Sequence, residues 1–446
     1  MVRNLNQSHL EIIEQAKEKN VRFIQLHFTD ILGTLKTVTI TSNYLTQAME
    51  EGVLFDGSSI QGFARIHESD MYLHPDLNTF SILPWVDKDG DVIARFICDV
   101  FTPQGEPFQG CPRNALKKVI DEAKTLGYQL IAGLEPEFFL FETDEKGNPI
   151  NITQDRGGYF DLSPVDKGEE ARNDIVKALE LMGFQIEASH HEVAPGQHEI
   201  DFHFTDALTA ADNIMAFKFV TKAVAKKHKL HATFIPKPIQ GENGSGLHIH
   251  QSLHQGERNV FYDPEAEDGI SQIARFYIGG LLKHAKAITA ITNPTVNSYK
   301  RLVPGFEAPV DITWSIRNRS SLIRIPSVRN SIRLEYRSPD PSTNPYLALA
   351  CILKAGLTGI REKIEPPPQI NEIAYDLSLV NRKERGIEIL PDNLREALEA
   401  LSEDHVIQSA LGEHIYEHFM KARLIEWGVY RNQVHQWELE QYLTTL

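Results

Sequence analysis

The spacing of apolar and polar positions changes several times along the chain, and each change marks a predicted element. The opening segment MVRNLNQSHLEIIEQAKEKN carries apolar residues at helical intervals and predicts a short amphipathic helix. Residues 21–28 (VRFIQLHF) and 92–100 (VIARFICDV) are apolar and β-branched enough for strands, with Gly- and Ser-rich turns and short extended pieces between them. The segment TPQGEPFQGCPRN (102–114) holds three Pro and two Gly and reads as a linker, so residues 1–103 are expected to form a small β-rich unit. Beyond it, Asn114–Leu126 is predicted as a helix with Asn at its cap and Gly127 at its end. Strands are then expected at 128–141, 184–193, 198–204, 245–253 and 331–337. Helices are expected at 167–182, 207–229, 270–290 and 344–362. Residues 104–446 thus read as a larger α/β domain, whose tail (387–446) is helical with acidic and aromatic surfaces.

Composition narrows the classes. Hydrophobic residues make up 41% and charged residues 24%, an ordinary globular balance. No run approaches the roughly 18 uninterrupted apolar residues that a membrane span needs, and the N-terminus lacks a secretory apolar core. The three cysteines (Cys98, Cys111, Cys351) are far apart and outside any C-x-x-C pattern, which points to neither a disulfide framework nor a thiolate metal site and fits a reducing cytoplasm. A net charge of −16 disfavours nucleic acid as a direct ligand. The basic run Lys218 to Lys229 reads as a solvated helix face.

Against this background, several strands carry chemistry at a spacing of two, which puts side chains on one face. Glu135 and Glu137 do so in GLEPEFFLF, His190 and Glu192 in ASHHEV, and His248, His250 and Ser252 in LHIHQSL. Arg333, Glu335 and Arg337 form a basic–acidic–basic row in IRLEYRS. Any one row alone is more commonly a solvated strand face or an ion-pair ladder. Together, in apolar surroundings, they imply cations, because burying an unpaired carboxylate costs several kcal/mol. Carboxylate oxygens with one imidazole suit Mg²⁺ or Mn²⁺ better than zinc, and separate acid clusters suit more than one ion. Glu199 lies seven residues after Glu192, a spacing that a continuous strand would send to the opposite face, but Pro195 and Gly196 intervene and predict a turn that resets the parity.

Arginines supply the anion-binding half. Arg301 and Glu307 sit in the Pro/Gly-bounded segment SYKRLVPGFEAPV, and Arg319 and Arg324 in NRSSLIRIP. Planar guanidinium groups match carboxylate and phosphate oxygens. No Walker A sequence is present, which excludes a P-loop. The NGSG segment (243–246) lets bare backbone approach a ligand.

The motifs FDGSSIQGFARIHESDM (55–71), EPEFFLF (135–141), ASHHEVAPGQHEID (188–201), NGSGLHIHQSL (243–253), NSYKRLVPGFEAPV (297–310) and NRSSLIRIP together resemble the type I glutamine synthetases, from about residue 20 to the C-terminus. The resemblance implies an α+β fold: an N-terminal β-grasp domain and a large C-terminal α/β catalytic domain with an antiparallel-sheet active-site funnel. It also implies a homododecamer of two stacked hexameric rings, with active sites between subunits. The implied activity is ATP-dependent joining of ammonia to glutamate through a γ-glutamyl phosphate, with two Mg²⁺ or Mn²⁺ per site and glutamate, ammonium and ATP as ligands.

By motif match, Glu137, Glu192 and Glu199 would hold the first metal, and Glu135, His248 and Glu335 the second. Arg301, Arg319, Arg337, Asn243 and Gly244 would hold glutamate, and Glu187, His250, Ser252, Arg319, Arg324 and Arg333 would contact ATP. Glu307 resembles the family's flap glutamate. Asp56, with Ser59 near it, resembles the ammonium-binding aspartate supplied by the adjacent subunit. The short segment ETDEKGNPINITQDRGGYF (142–160) lacks the insertion of the adenylylated subdivision, so Tyr375 in AYDLS is expected to be unmodified. Arg65 resembles the arginine of glutamine feedback inhibition.

Two stretches depart from the family's pattern. RIPSVRNSIRLEYRS is one residue shorter than usual, and PIQGENGSG carries Gln240 and Glu242 where Phe and Val are usual, which would add a carboxylate beside the glutamate pocket. Three other readings stay open at this level: a ligase that couples glutamate to a polyamine or other amine, a metal-dependent phosphohydrolase, and a regulatory protein that binds nitrogen-regulatory transcription factors.

Overall fold

The computed structural model describes residues 7–58, 60, 62, 70–327, 331–372 and 379–446. Its N-terminal sheet is built from β1 (Val21–Thr29), β2 (Leu35–Thr41), β3 (Val53–Asp56), β4 (Asp70–Pro75), β5 (Ser81–Val86) and β6 (Val92–Phe101). The order is β2-β1-β6-β4-β3, with β5 also on β6. Strands β1 and β6 run parallel, pairing Leu26 with Phe96, and the other pairs are antiparallel. Ile24, Leu26, Phe28, Leu73, Phe96 and Val100 point into one core beneath the helices Gln7–Glu18 and Leu45–Glu51. That core also takes in Phe108 and Cys111, whereas Ile31 packs into the larger core.

The second sheet contains β7 (Gln129–Thr143), β8 (Pro149–Thr153), β9 (Ile186–His191), β10 (Gln197–Phe202), β11 (Thr205–Asp206), β12 (Leu230–Thr233), β13 (Leu247–Gln255), β14 (Arg258–Asn259), β15 (Trp314–Ile316), β16 (Ile323–Ile325) and β17 (Leu334–Tyr336). Its main path is β15-β16-β17-β13-β7-β10-β9. Every pair is antiparallel except β15 with β16. Alternation along β7 sends Leu130, Ala132 and Leu134 into the apolar core, which is completed by the helices Ala207–Lys227, Gln272–Lys283 and Pro345–Glu362. Residues of the opposite parity on β7 are left for the other face. The helices start where their caps direct: Asp206 accepts from the Leu208 and Thr209 amides, Ser271 from Ala274, and Asn344 from Tyr346.

Arg113 ties the two sheets together. It bonds Asp99 at 2.7 Å and Asp76 at 2.8 Å on the first sheet's side, and Asp212 of the helix Ala207–Lys227 at 2.8 Å.

Three expectations need correction. The helix predicted to begin at Asn114 begins at Pro112, because Pro at the first turn has no amide to leave unpaired; Asn114 instead donates to the Val100 carbonyl. The predicted helix 270–290 breaks at His284, whose Nδ1 pairs with Asp404 at 2.6 Å, giving Gln272–Lys283 and Ala285–Thr292. The run from Lys218 is not simply solvated. Lys218 donates to the Thr343 carbonyl, Lys218 and Lys222 lie over the Phe234 ring, and Lys227 lies over Trp85.

Candidate active site

Strand β7 changes partner midway, and that change creates the site. Its first half pairs with β13, from Gln129 opposite His254 to Pro136 opposite Leu247, while Glu137, Phe138 and Phe139 pair with β10. Pro136 has no amide to donate and sits at the switch; the next amide, Glu137, reaches the Gly246 carbonyl. Directly opposed residues on antiparallel strands share a face. Glu135 therefore meets His248, and the next residue of that face on β13, His250, is opposite Glu335. On the other side Glu137 meets Glu199, which in turn is opposite His190. The turn through Pro195 and Gly196 does reset the parity, with the Gln197 amide bonded to the Ala194 carbonyl and Gly196 at φ +69°.

All six acid and imidazole residues expected to be metal ligands, Glu135, Glu137, Glu192, Glu199, His248 and Glu335, line one cavity of about 510 Å³. Ligand atoms of Glu135, His248 and Glu335 lie within 4.8 Å of one another, as do those of Glu137, Glu199 and His248 and those of His190, Glu192 and Glu199. His248 Nδ1 is 3.4 Å from Glu135 and 3.7 Å from Glu335. His190 Nε2 is 2.8 Å from Glu192 and 3.6 Å from Glu199.

The electrostatics are those of a site short of positive charge. Burial, then the neighbouring Glu192, pushes Glu137 up to about 8. Burial with Asp201, Glu137 and Glu192 holds Glu199 well above the usual carboxylate range, and burial with Glu135 raises Asp201 to about 7. Burial would also raise Glu135, but hydrogen bonds from His248 and His250 overcome it and pull the group far down. Glu335 is lowered as well: His248 and Arg337 offset its burial. Carboxylates this close ionise together only when cations neutralise them. Oxygen donors with a single central imidazole fit hard divalent ions.

Arginines form the rest of the wall: Arg301, Arg319, Arg324, Arg333 and Arg337 all line the cavity with Asn243, Gly244 and Glu307. Arg324 and Arg337 brace Glu335 at 2.5 Å and 3.0 Å, and Arg333 Nε donates to His250 Nδ1 at 3.1 Å. Arg337 Nη1 and Arg324 Nε are buried donors with no protein acceptor among the described residues, which suits carboxylate or phosphate oxygens. A Cβ at Gly246 would come within 2.7 Å of Arg301 Nη2 and 3.1 Å of Glu137 Oε1, so these side chains would have to shift to admit one.

A buried network behind the sheet fixes the hairpin that carries Glu192 and Glu199. Asp155 accepts from the Gly157, Gly196 and Lys167 amides and lies 3.1 Å from His191 Nε2, while His191 Nδ1 is 2.7 Å from the Glu192 carbonyl. The Phe160 amide bonds the His191 carbonyl, so the loop bearing Tyr159 and Phe160 is drawn over the cavity.

Some expected residues are not brought together. Glu187 does not line the cavity; its side chain is half exposed, 3.9 Å from His203, at a break in the pairing of β9 with β10. Ser252 keeps the face of His248 and His250 but lies beyond the cavity, against His254 at 3.2 Å. Asp56, exposed at the end of β3, is likewise no part of it, and among the described residues the lining comes only from positions 135–337. Glu242 faces a different cavity, shared with Arg156 and Lys167, and so adds no carboxylate to the arginine-walled one. Ser59, Arg65 and Tyr375 lie outside the described residues. Sequence reasoning missed Tyr159, Phe160, Gln197, Asp201 and Phe306 in the lining. Gln197 and Asp201 flank Glu199 at a spacing of two, the same signal that identified the other rows.

An acid-lined, arginine-walled cavity on a largely antiparallel sheet, in a chain that also carries a smaller β-sheet unit, has the side chains of an enzyme site for divalent metal and anionic oxygens, in a fold of the α+β class. Comparisons with known proteins agree. Residues 20–103 match the family model "Glutamine synthetase, beta-Grasp domain", and residues 109–442 match "Glutamine synthetase, catalytic domain". The glutamine synthetase of Thermus thermophilus is 56% identical over 439 residues, covering 98% of each chain. That of Clostridium saccharobutylicum is 54% identical over 434 residues, covering 97% of this chain and 98% of the relative. The solved Plasmodium falciparum glutamine synthetase superposes with a TM-score of 0.86 at 28% identity over 99% of both chains. A structure described as a GmaS/ADP complex superposes at 0.88 with 33% identity, over 97% of this chain and 99% of that one. The chain belongs to the glutamine synthetase family.

Proposed function

We propose that this protein is a glutamate–ammonia ligase: it forms L-glutamine from L-glutamate, ammonia and ATP through a γ-glutamyl phosphate. The observation that carries this reading is the convergence of the six acid and imidazole residues with five arginines on one cavity. Glu137, Glu192 and Glu199 would hold one divalent ion and Glu135, His248 and Glu335 a second, Mg²⁺ or Mn²⁺; such ions supply charge stabilisation to a transferring phosphoryl group. Arg301, Arg319 and Arg337, with Asn243 and Gly244, orient glutamate so that its γ-carboxylate faces ATP. His250, Arg324 and Arg333 contact the nucleotide, as do Glu187 and Ser252 further out. The carboxylate oxygen attacks the terminal phosphorus, ADP leaves, and the weak electrophile becomes an acyl phosphate. Ammonium must then lose a proton before its nitrogen attacks the γ-carbon and expels phosphate. Asp56 of a neighbouring subunit, with Ser59, draws in the cation, and Glu307 accepts the proton while its loop excludes water.

Placing Asp56 in a neighbour's site accords with its exposure and with the absence of described N-terminal residues from the lining. Exposed Val434, Trp437, Leu439, Tyr442 and Leu443 at the C-terminus offer apolar surface for the dodecamer we infer. We assign the chain to the short, unadenylylated type I subdivision with glutamine feedback through Arg65, take residues 1–103 and 104–446 as its domains, and place it in the cytoplasm. Three buried free cysteines support the last point, and among the described residues no helix is long and apolar enough to cross a membrane.

Formation of γ-glutamyl hydroxamate from hydroxylamine, dependent on ATP, divalent metal and glutamate together, tests the activity. Phosphate release without glutamate would instead support a phosphohydrolase, and preference for putrescine over ammonia an amine ligase.

A further inference from the structure

Lys237 lies outside the lining of the active-site cavity, yet its side chain joins the two loops that form one rim. Its Nζ donates to the Glu242 carbonyl, immediately before Asn243 and Gly244, and sits 3.6 Å from the centroid of the Phe306 ring, immediately before Glu307. The lysine is itself anchored: its amide donates to Asn297 Oδ1 at 2.8 Å, and Asn297 Nδ2 returns a bond to its carbonyl at 3.1 Å. The preceding residue, Pro236, accepts from the Ser245 amide at 2.7 Å, so the glutamate-side loop is docked on the same segment.

The other loop is anchored at its end by Ala308, buried in the core, but has no polar hold of its own. Among the described residues, 304–308 make no hydrogen bond or ion pair, and Glu307 takes a left-handed φ of +57°, which a residue with a side chain adopts only under constraint. A partly buried ammonium on an aromatic face is a favourable contact. Lys237 has no carboxylate within ion-pair distance among the described residues; its charge engages this ring, the Glu242 carbonyl and, at longer range, the Glu242 carboxylate.

We propose that Lys237 is a positioning residue that clamps the Phe306–Glu307 loop against the 242–244 loop, so that the activated γ-carbonyl meets ammonia and not water. The inference rests on the ligase reading above and adds a distinct consequence to it. With the clamp open, water adds to the γ-carbonyl carbon and the C–O bond to phosphate breaks. Glutamate is regenerated, ATP has become ADP and phosphate, and no glutamine has formed.

The test measures phosphate released per glutamine formed, at sub-saturating ammonia, in the full-length enzyme. Wild type should give a ratio near one. Lys237→Met keeps the aliphatic stem and loses the charge, and should raise the ratio about threefold or more; Lys237→Arg keeps a cation and a donor and should restore it. Phe306→Leu removes the ring without touching the lysine and should also leak. A side chain that merely supported the fold would lower turnover and leave the ratio at one. A ratio of one in both Lys237→Met and Phe306→Leu overturns the clamp. Failure of the wild type to form glutamine at all overturns the ligase reading instead.

Discussion

Replacing Glu137 by glutamine should stabilise the metal-free protein and weaken the metal-loaded one, and the burial of Glu137 sets the size of the first effect. Glu137 is buried beside Glu192 and titrates at about 8 against an ordinary value of 4.5. Between those values the native state binds more protons than the unfolded chain, so this group's stability is complete below about pH 4.5 and drains away as pH rises to 8. At 1.36 kcal/mol for each pKa unit, the loss at pH 7 is about 3 kcal/mol. Glu192 and Glu199 share the same repulsion, so roughly 2 kcal/mol should be recovered by the amide. The amide oxygen can still accept from Gln197 Nε2 and the Gly246 amide, which now bond Glu137 at 2.7 Å and 3.0 Å. Metal at a hundred times its dissociation constant stabilises the native state by about 2.7 kcal/mol, and the variant forgoes much of that. The assay is thermal unfolding at pH 6, 7 and 8, in chelator and in excess Mg²⁺. Wild type without metal should melt progressively lower as pH rises, and Glu137→Gln should melt above it at pH 8; in Mg²⁺ the order should invert. A variant that melts below wild type in chelator at pH 8 refutes the reasoning.

Other predictions are simpler. Glu307→Ala should cut glutamine formation by at least tenfold while ATP affinity, read by calorimetry, barely changes; equal loss of both counts against a role in the loop's chemistry. Gly246→Ala should lower direct Mn²⁺ binding, measured by electron paramagnetic resonance, because its methyl group would crowd Arg301, His248 and Glu137; unchanged binding would show that these groups move aside. Arg65→Ala should relieve glutamine inhibition with little effect on turnover, and unaltered inhibition removes that assignment.

Which parts of the site were readable in the sequence follows from strand geometry. Glu135 with Glu137, and His248 with His250, were legible because a period of two fixes their face whatever the partner strand. Which row faced which was not, since register depends on where β7 exchanges β13 for β10, and nothing but Pro136 marks that point. Tyr159, Phe160 and Phe306 lie in segments with no periodicity and reach the cavity through tertiary hydrogen bonds or loop packing. Glu242 was expected to face the glutamate pocket from its place next to Asn243, but adjacent residues of an irregular loop need not share a face, and it lines the neighbouring cavity instead. The buried pairing of His284 with Asp404 joins positions 120 residues apart, so no local pattern announces the helix break it accompanies.

In the proposed reaction glutamate is phosphorylated before nitrogen arrives. Glutamate labelled with ¹⁸O in its γ-carboxylate, turned over with ATP, Mg²⁺ and ammonia, should transfer one labelled oxygen to each inorganic phosphate released. Phosphate carrying no label would contradict it, because the phosphoryl group would then never have been joined to glutamate.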